Sequence, residues 1–347
     1  MENVITDIKG NEIPTPESPK SDNSSDGSPS LRQEIITLIK EKKKLSDSSI
    51  EVYLRNLKKL NNNTPLSDKE FKFLENSQEV QTKLDAFKET TKRNYLISIV
   101  SILSLFPELK ALHDVYHTLM MTKKAEIQEV QSTGTQSDTQ AENWIDWDSV
   151  KAQHKILATR VEGFYKKKSI TPEDFIVLTA FMILSLYVLI PPRRNKDYCL
   201  MRVVNSFVPD ETTSEFNYYD IGKKKFIFNN YKTAKKYGRF DIAVPRTLQL
   251  VINKYLKHRA SKFPVDDNDN KPFLIKPDGK AMDRSNDITK TLNKVFGKAI
   301  GCSMLRHIFL TDKYSTIFKT AKIDAEKMGH SSEEQKNYIK EKLTVAV

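Results

Sequence analysis

An uncharged run of sixteen residues constrains the fold of this chain more than any other stretch. The run reads FIVLTAFMILSLYVLI from Phe175 to Ile190, and Pro191-Pro192 followed by two arginines ends it. A helix needs about 20 apolar residues to cross a bilayer, so this run is short for a membrane span. Thr171-Pro172-Glu173-Asp174 precedes it as a helix start, with proline at the first helical position and acids in the first turn. The run therefore predicts a buried core helix, and we expect no membrane association.

The charge of the chain is strongly positive but unevenly distributed. The 347 residues carry a net charge of +11, with 29% charged and 38% hydrophobic residues. Six acids and two bases give the first thirty residues a charge of −4, so the remainder carries +15. Such an excess suits a polyanion such as double-stranded DNA, because bound lysine and arginine release counterions from the phosphates. A basic protein that is merely soluble remains the alternative on charge alone.

The cysteine content and the N-terminus indicate an intracellular protein. Cys199 and Cys302 are too few for a disulfide scaffold or a cysteine-based zinc site, and they fit a reducing compartment. Met1 is followed by polar and acidic residues rather than by the apolar segment of a signal peptide. We expect the protein to act at DNA inside a cell, in either the nucleus or the cytoplasm of a host.

Composition predicts two domains and a linker between them. Residues 1–30 are rich in Ser, Pro, Asp, Asn and Gly and predict a disordered tail. Residues 31–125 predict a small all-helical domain, and residues 126–143, with four acids and no base, predict a linker. Residues 144–347 form the second domain. Five helices are predicted in the first domain. The first covers Leu31–Lys44, and the second is capped within Ser46–Ser49 and ends at Leu60. The third covers Asp68–Leu74, the fourth is capped by Thr90 or Thr91, and the fifth covers about Glu108–Lys123.

The second domain combines helices with a few strands. Strand-like runs cover Phe216–Asp220, Lys225–Tyr231 and Phe240–Val244, with Gly238 in the turn before the last of them. Amphipathic helices are predicted over Leu248–His258 and Asp287–Ile300, with a loop at Val265–Lys271 between them. The fold class is therefore mainly α with a small antiparallel β-sheet on one side.

The C-terminal part of the chain brings a cation, a histidine and a phenol into sequence order. Arg306 lies in the helical pattern SMLRHIFLT, His330 follows in MGHS, and Tyr338 comes eight residues later. Cleavage of a phosphodiester by a side-chain nucleophile needs fixed cations on the nonbridging oxygens. It also needs a proton donor for the leaving 5′-oxygen and a hydroxyl that persists as an ester. Arginine, lysine and tyrosine meet these needs, so the pattern indicates phosphate chemistry.

From Leu31 to Tyr338 the chain resembles the tyrosine recombinase (phage integrase) family, strongly in the second domain and only generically in the first. The resemblance implies an N-terminal helical core-binding domain followed by an α+β catalytic domain. It also implies five catalytic residues. Arg194 in PPRRNKDY and Arg306 would bind the scissile phosphate, and His330 would donate a hydrogen bond to it. Lys232 in NNYKTAKKYG would protonate the departing 5′-oxygen, and Tyr338 would be the nucleophile.

The resemblance departs from the family pattern in one important place and leaves some assignments open. Ser303 stands where the family has a histidine, and serine can donate a hydrogen bond but cannot act as a base near pH 7. Tyr338 follows His330 one residue sooner than is common in the family. Arg193 is the alternative to Arg194, whose orientation the family pattern assigns to Asp197. Lys235 and Lys236 are alternatives to Lys232, and Tyr314 is too close to Arg306 to be the nucleophile.

The implied function is site-specific DNA recombination through a 3′-phosphotyrosyl intermediate. The family relationship implies integration or excision of a viral or mobile genome by a homo-tetramer on double-stranded DNA, with neither a cofactor nor a metal. Lys92 and Arg93, at the start of a predicted helix, and Lys235 and Lys236 are candidates for DNA contacts, although a solvated face explains the first two equally well. A type IB topoisomerase and a DNA-binding relative without catalysis are the alternatives, the second because of Ser303.

Overall fold

The computed structural model describes residues 30–43, 45–210, 213–262 and 271–340, with the side chains of Ser332 and Glu333 excepted. The chain divides into two compact units, with the division between Thr135 and Gln136. This division falls inside the predicted linker, residues 126–143. The predicted tail (apart from Ser30) and nearly all of the predicted loop Val265–Lys271 lie outside the described residues.

The first unit is helical and encloses its own apolar core. Side chains buried in that core come from every α-helix, as Ile35, Leu57, Val80, Ile99 and Tyr116 illustrate. The helices are α1 (Leu31–Lys43), α2 (Asp47–Leu60), α3 (Ser77–Leu84), α4 (Glu89–Leu103) and α5 (Lys110–Ser132), with single 3-10 turns at Lys72–Leu74 and Pro107–Leu109.

Several features of this unit differ from the sequence prediction. Helix α4 begins at Glu89 with Lys88 at its N-cap and no side-chain cap, so the expected cap by Thr90 or Thr91 was wrong. The helix expected over Asp68–Leu74 is reduced to one 3-10 turn, and α3 follows it unpredicted. The sequence of α3, SQEVQTKL, buries only Val80 and Leu84, so its apolar stripe is too sparse to read as a helix. Helix α5 continues past Lys123 to Ser132, into the stretch predicted as linker.

The second unit contains the rest of the described chain. Its helices are α6 (Asp138–Asn143), α7 (Trp147–Glu162), α8 (Pro172–Val188), α9 (Asn195–Cys199), α10 (Ala234–Tyr237), α11 (Arg246–Ala260), α12 (Ser285–Phe296), α13 (Cys302–Lys327) and α14 (Ser332–Tyr338). Its strands are β1 (Met201–Val204), β2 (Asn217–Asp220), β3 (Lys225–Phe228), β4 (Phe240–Ala243) and β5 (Lys271–Pro272). The protein is therefore mainly helical with one small sheet.

Helix α8 is the predicted core helix, and it organises the second unit. The Thr171 side chain accepts a hydrogen bond from the backbone N–H of Asp174 at 3.1 Å, which caps the helix as expected. Most of its side chains are fully buried, from Phe175 to Tyr187, with Ile176 as an exposed exception. None of the described helices has both the length and the apolar character that crossing a membrane requires.

The sheet is mixed, so the prediction of a purely antiparallel sheet was wrong. The strand order is β4-β3-β2-β1-β5, and β1 runs parallel to β2 while the other neighbours are antiparallel. The predicted strands match β2, β3 and β4, whereas β1 and β5 were missed. Strand β1 has only four residues, directly follows α9 and shows no alternation of apolar and polar side chains. Its position beside β2 is decided by packing onto the core rather than by a local sequence signal.

Candidate functional site

Arg193 and Arg194 follow the end of α8, and the two side chains have different surroundings. The Arg193 guanidinium stacks on the Phe228 ring at 3.7 Å from its centroid. Its Nε donates a hydrogen bond to Asp197 Oδ2 at 2.9 Å, and the side chain of Asp197 is only 3% exposed. Arg194 occupies the N-cap position of α9. The carboxylate expected to orient Arg194 is therefore bonded to Arg193.

The buried carboxylate of Asp197 is bonded to one guanidinium group and lies within the electrostatic range of two others. Burial raises the pKa of Asp197, and the positive charges of Arg193, Arg194 and Arg306 oppose that rise. Among the described residues, Asp197 Oδ1 accepts no hydrogen bond. Within the same part of the chain, neither Arg194 nor Arg306 has a hydrogen-bond or ion-pair partner. Three positive charges around one negative charge leave an excess that attracts an anion.

The hairpin of β3 and β4 carries the candidate lysine beside this cluster. Lys232 lies exposed in the connection between the two strands, as do Lys235 and Lys236 on the short helix α10. The Tyr231 hydroxyl donates a hydrogen bond to the Gly238 carbonyl at 2.8 Å, which closes the connection. The Arg193 guanidinium lies 5.5 Å from the centroid of the Tyr231 ring, so the base of the hairpin packs near Arg193.

The start of α13 supplies the second candidate arginine. Met304, Leu305 and Ile308 are buried and fix this part of the helix in the core of the second unit. Arg306 is half-buried and Ser303 is exposed one turn before it, so both lie on the same side of the helix. A serine at this position can donate a hydrogen bond to an anion that Arg306 binds.

His330 and Tyr338 form a pair beyond the other end of α13. Their rings stack with centroids 5.4 Å apart and planes inclined by 22°. Gly329 has a φ of 76°, in the left-handed region that ends helices, and the His330 N–H donates to the Ala325 carbonyl at 3.1 Å. Ser331 then caps α14 by accepting a hydrogen bond from the N–H of Glu334 at 3.0 Å. Tyr338 is 68% exposed, so its hydroxyl is accessible to a partner.

The structure does not bring this pair to the arginines. Helix α13 runs without interruption for 26 residues. From Arg306 to Met328 the helical rise alone spans roughly 33 Å at about 1.5 Å per residue. The predicted site residues therefore fall into two groups. One consists of Arg194, Arg306, Ser303 and the hairpin with Lys232, and the other consists of His330 and Tyr338.

Lys92 and Arg93, the candidates for DNA contacts in the first unit, differ in their contacts with other residues. The Lys92 ammonium lies 3.0 Å from Asp85 Oδ1 and 2.9 Å from Glu89 Oε1, so its charge is already matched within the first unit. The Nε of Arg93 is buried and donates no hydrogen bond within the described residues. Sequence reasoning did not pair Arg193 with Asp197, although their spacing of four residues is a signal for such a pair.

Comparisons of this chain with protein-family models, with curated proteins and with solved structures find no match. In the described part of the chain, no three histidine, cysteine, aspartate or glutamate side chains are grouped in a way that would hold a metal ion.

Proposed function

We propose that this protein cleaves and rejoins DNA strands as a tyrosine-recombinase-type enzyme that integrates or excises a viral or mobile genome. One observation carries the proposal. Arg194 and Arg306 come from distant parts of the sequence, yet the charges of both act on the same buried Asp197, and neither arginine has a hydrogen-bond or ion-pair partner among the described residues. Two unpaired guanidinium groups beside a third, structurally engaged one form a site for a phosphate rather than a structural ion pair.

The proposed reaction assigns one task to each side chain. Arg194 and Arg306 bind the nonbridging oxygens of the scissile phosphate and stabilise the charge that develops there. The Tyr338 oxygen forms a bond to phosphorus as its proton passes to water, and the bond from phosphorus to the 5′-oxygen breaks. Lys232 gives its proton to that departing oxygen. The phosphotyrosyl ester conserves the bond energy, so rejoining proceeds by the reverse displacement without ATP.

Two residues near the phosphate have supporting roles in this proposal. His330 donates a hydrogen bond to the phosphate when Tyr338 attacks, since the two rings are stacked and arrive together. Ser303 replaces the family histidine as a donor on the side of Arg306, but not as a base. We therefore expect cleavage to be slow with Ser303 and to accelerate in a Ser303→His variant.

The separation along α13 favours a site completed by a second copy of the chain. Met328, just beyond the last residue of α13, lies roughly 33 Å from Arg306 by helical rise. Tyr338 stacks on His330 near that end of the helix and is 68% exposed. A second copy that presents its exposed Tyr338 to these arginines would complete the site, in keeping with the homo-tetramer of the family. The two units would then act as core-binding and catalytic domains on the duplex. A monomeric type IB topoisomerase would need the nucleophile within the same chain.

The test is the formation of a covalent adduct on a nicked suicide substrate, which traps the phosphotyrosyl ester. Full-length protein should form a protein–DNA adduct that resists denaturant, and Tyr338→Phe should abolish it. Tyr314→Phe is the matched control, because Tyr314 is also a tyrosine of the C-terminal helices but lies on α13 close to Arg306. The proposal fails if no adduct forms on any DNA, including the ends of the element that encodes the protein.

A DNA-binding relative without catalysis is the second candidate. Ser303 at the histidine position and the distance of Tyr338 from the arginines both favour it. In that case the protein would bind duplex DNA with a strong salt dependence but would form no adduct, and Tyr338→Phe would leave binding unchanged.

A further inference from the structure

The side chain of Asn217 joins the arginine segment to the lysine hairpin. Asn217 is the first residue of β2 and is fully buried. Its Nδ2 donates to the carbonyl oxygens of Asp197 at 2.8 Å and of Asn230 at 2.9 Å. Its Oδ1 accepts from the backbone N–H groups of Asn229 at 2.9 Å and of Asn230 at 2.8 Å. All four hydrogen-bonding positions of the amide are therefore occupied.

These four bonds act at the point where the chain leaves the sheet. The ladder between β2 and β3 includes the pairs Tyr218↔Ile227 and Tyr219↔Phe226, and β3 ends at Phe228. Directly after that end, the Asn217 amide forms hydrogen bonds with the backbone of Asn229 and Asn230, which no longer belong to the β2–β3 ladder. It thereby fixes the path of the hairpin connection two residues before Lys232.

The same amide holds that path relative to Arg194. The Asp197 carbonyl that it binds belongs to α9, whose N-cap is Arg194. The backbone N–H of Asn217 also donates to the Leu200 carbonyl at 2.7 Å, just after the end of α9. One buried side chain thus connects the backbone beside the candidate phosphate-binding arginine with the backbone beside the candidate general acid.

We propose that Asn217 is a positioning residue that sets the place of the Lys232 ammonium relative to the phosphate held by Arg194. The inference rests on the proposed function and adds to it a residue that does not touch the DNA. Lys232 is exposed and lacks a partner among the described residues, so no contact of its side chain fixes the position of the ammonium group. A general acid must lie within hydrogen-bond reach of the leaving oxygen, so the backbone that carries it has to be held in place.

The experiment compares two leaving groups on one DNA sequence. One suicide substrate has the natural 5′-oxygen at the scissile position, and the other has a bridging 5′-sulfur there. A thiolate leaves without being protonated, so the sulfur substrate makes the general acid unnecessary. Single-turnover adduct formation is measured for the full-length protein and for Asn217→Ser, Lys232→Ala and Gln153→Leu.

We expect Lys232→Ala to lose roughly 10²-fold in rate on the oxygen substrate, the usual size of a general-acid contribution. Asn217→Ser should lose about tenfold on the oxygen substrate and less than about twofold on the sulfur substrate, as a partly misplaced general acid would. Gln153→Leu is the control for the loss of a side-chain amide that bonds to the backbone, because the partly buried Gln153 donates from Nε2 to the Val295 carbonyl at 2.9 Å, away from the hairpin. It should cleave both substrates at the rate of the unchanged protein.

An equal loss on both substrates in Asn217→Ser, or no loss on either, would overturn the inference while leaving the proposed function intact. If the unchanged protein forms no adduct on either substrate, the proposed function itself fails and the inference fails with it. Should Asn217→Ser not fold, insertion of one glycine between Asn230 and Tyr231 replaces it, because this insertion keeps the amide and displaces Lys232. The insertion should show the same selective loss on the oxygen substrate, and unchanged cleavage by it would also overturn the inference.

Discussion

Two adjacent arginines, Arg193 and Arg194, differ in their contacts, and the proposed function assigns them different roles. The backbone at Arg194 is extended, with φ −74° and ψ 145°, and in such a backbone adjacent side chains leave the chain in different directions. Arg193 consequently packs on Phe228 and pairs with Asp197, while Arg194 is left with no bonded partner in the described chain. The engaged arginine is the one that stabilises the fold, and its neighbour is available to a ligand.

Exchange of these two arginines for alanine should therefore give opposite phenotypes. Arg193→Ala should lower the free energy of unfolding by about 3 kcal/mol, because it leaves the buried Asp197 carboxylate without its bonded partner. Arg194→Ala should change the free energy of unfolding by less than about 0.5 kcal/mol and should abolish the DNA adduct. Urea denaturation and the suicide-substrate assay measure the two effects. A large loss of stability in Arg194→Ala would show that the two roles have been assigned the wrong way round.

Helix α13 is the element that decides how the candidate site is completed. Its sequence from Cys302 to Lys327 contains neither glycine nor proline, so nothing in it causes a kink. Its second half exposes Ile317, Phe318 and Ile323, which are 63%, 65% and 51% exposed. Burial of such side chains against another chain would be favourable. Both observations agree with a second copy as the acceptor of α14.

A mixture of two inactive variants tests this arrangement. Tyr338→Phe lacks the nucleophile and Arg306→Ala lacks a phosphate ligand, so neither alone should form an adduct. When they are mixed, the adduct should reappear and should be carried by the Arg306→Ala chain, which can be identified by a size tag. This result is expected because an intact Tyr338 of one chain would then meet the intact arginines of another. An inactive mixture would instead require α13 to break so that Tyr338 reaches its own arginines.

At the scale of the whole molecule, the charge is divided between the N-terminal residues and the rest of the chain. The first thirty residues carry −4, against +15 for the remainder. An acidic segment attached to a basic DNA-binding protein competes with the phosphates for the same cations. For the proposed binding to DNA, the relevant charge is therefore the +15 of the remainder rather than the net charge of +11.

Deletion of residues 1–29 should raise the affinity for duplex DNA several-fold at about 50 mM salt, because less negative charge then opposes the phosphates. The difference should shrink at higher salt, since the Debye length falls to about 10 Å at 0.1 M and 3 Å at 1 M. Titration of a labelled duplex over a range of salt concentrations measures both effects. Replacement of the six acids of this segment by their amides should reproduce the deletion, and an unchanged affinity in both proteins would contradict the prediction.

The amino-acid sequence by itself determined the features that depend on neighbouring residues. The cap at Thr171, the apolar run of α8 and the two strands of the Lys232 hairpin follow from local patterns, and the structure confirms them. The local sequence patterns of α3 and of the four residues of β1 were too weak to predict a helix or a strand there. The catalytic roles implied by the family resemblance remain predictions.

Only the tertiary structure decided which distant residues meet. It paired Asp197 with Arg193, brought Arg306 within the electrostatic range of the same carboxylate, and joined α9 to the hairpin through Asn217. It also separated Tyr338 from Arg306 by the length of α13, although the order of the motifs suggested a single site. The reason is that a motif specifies residue types and their order along the chain. The distance between two motifs depends on whether the intervening backbone turns back or, as in α13, continues as a straight helix.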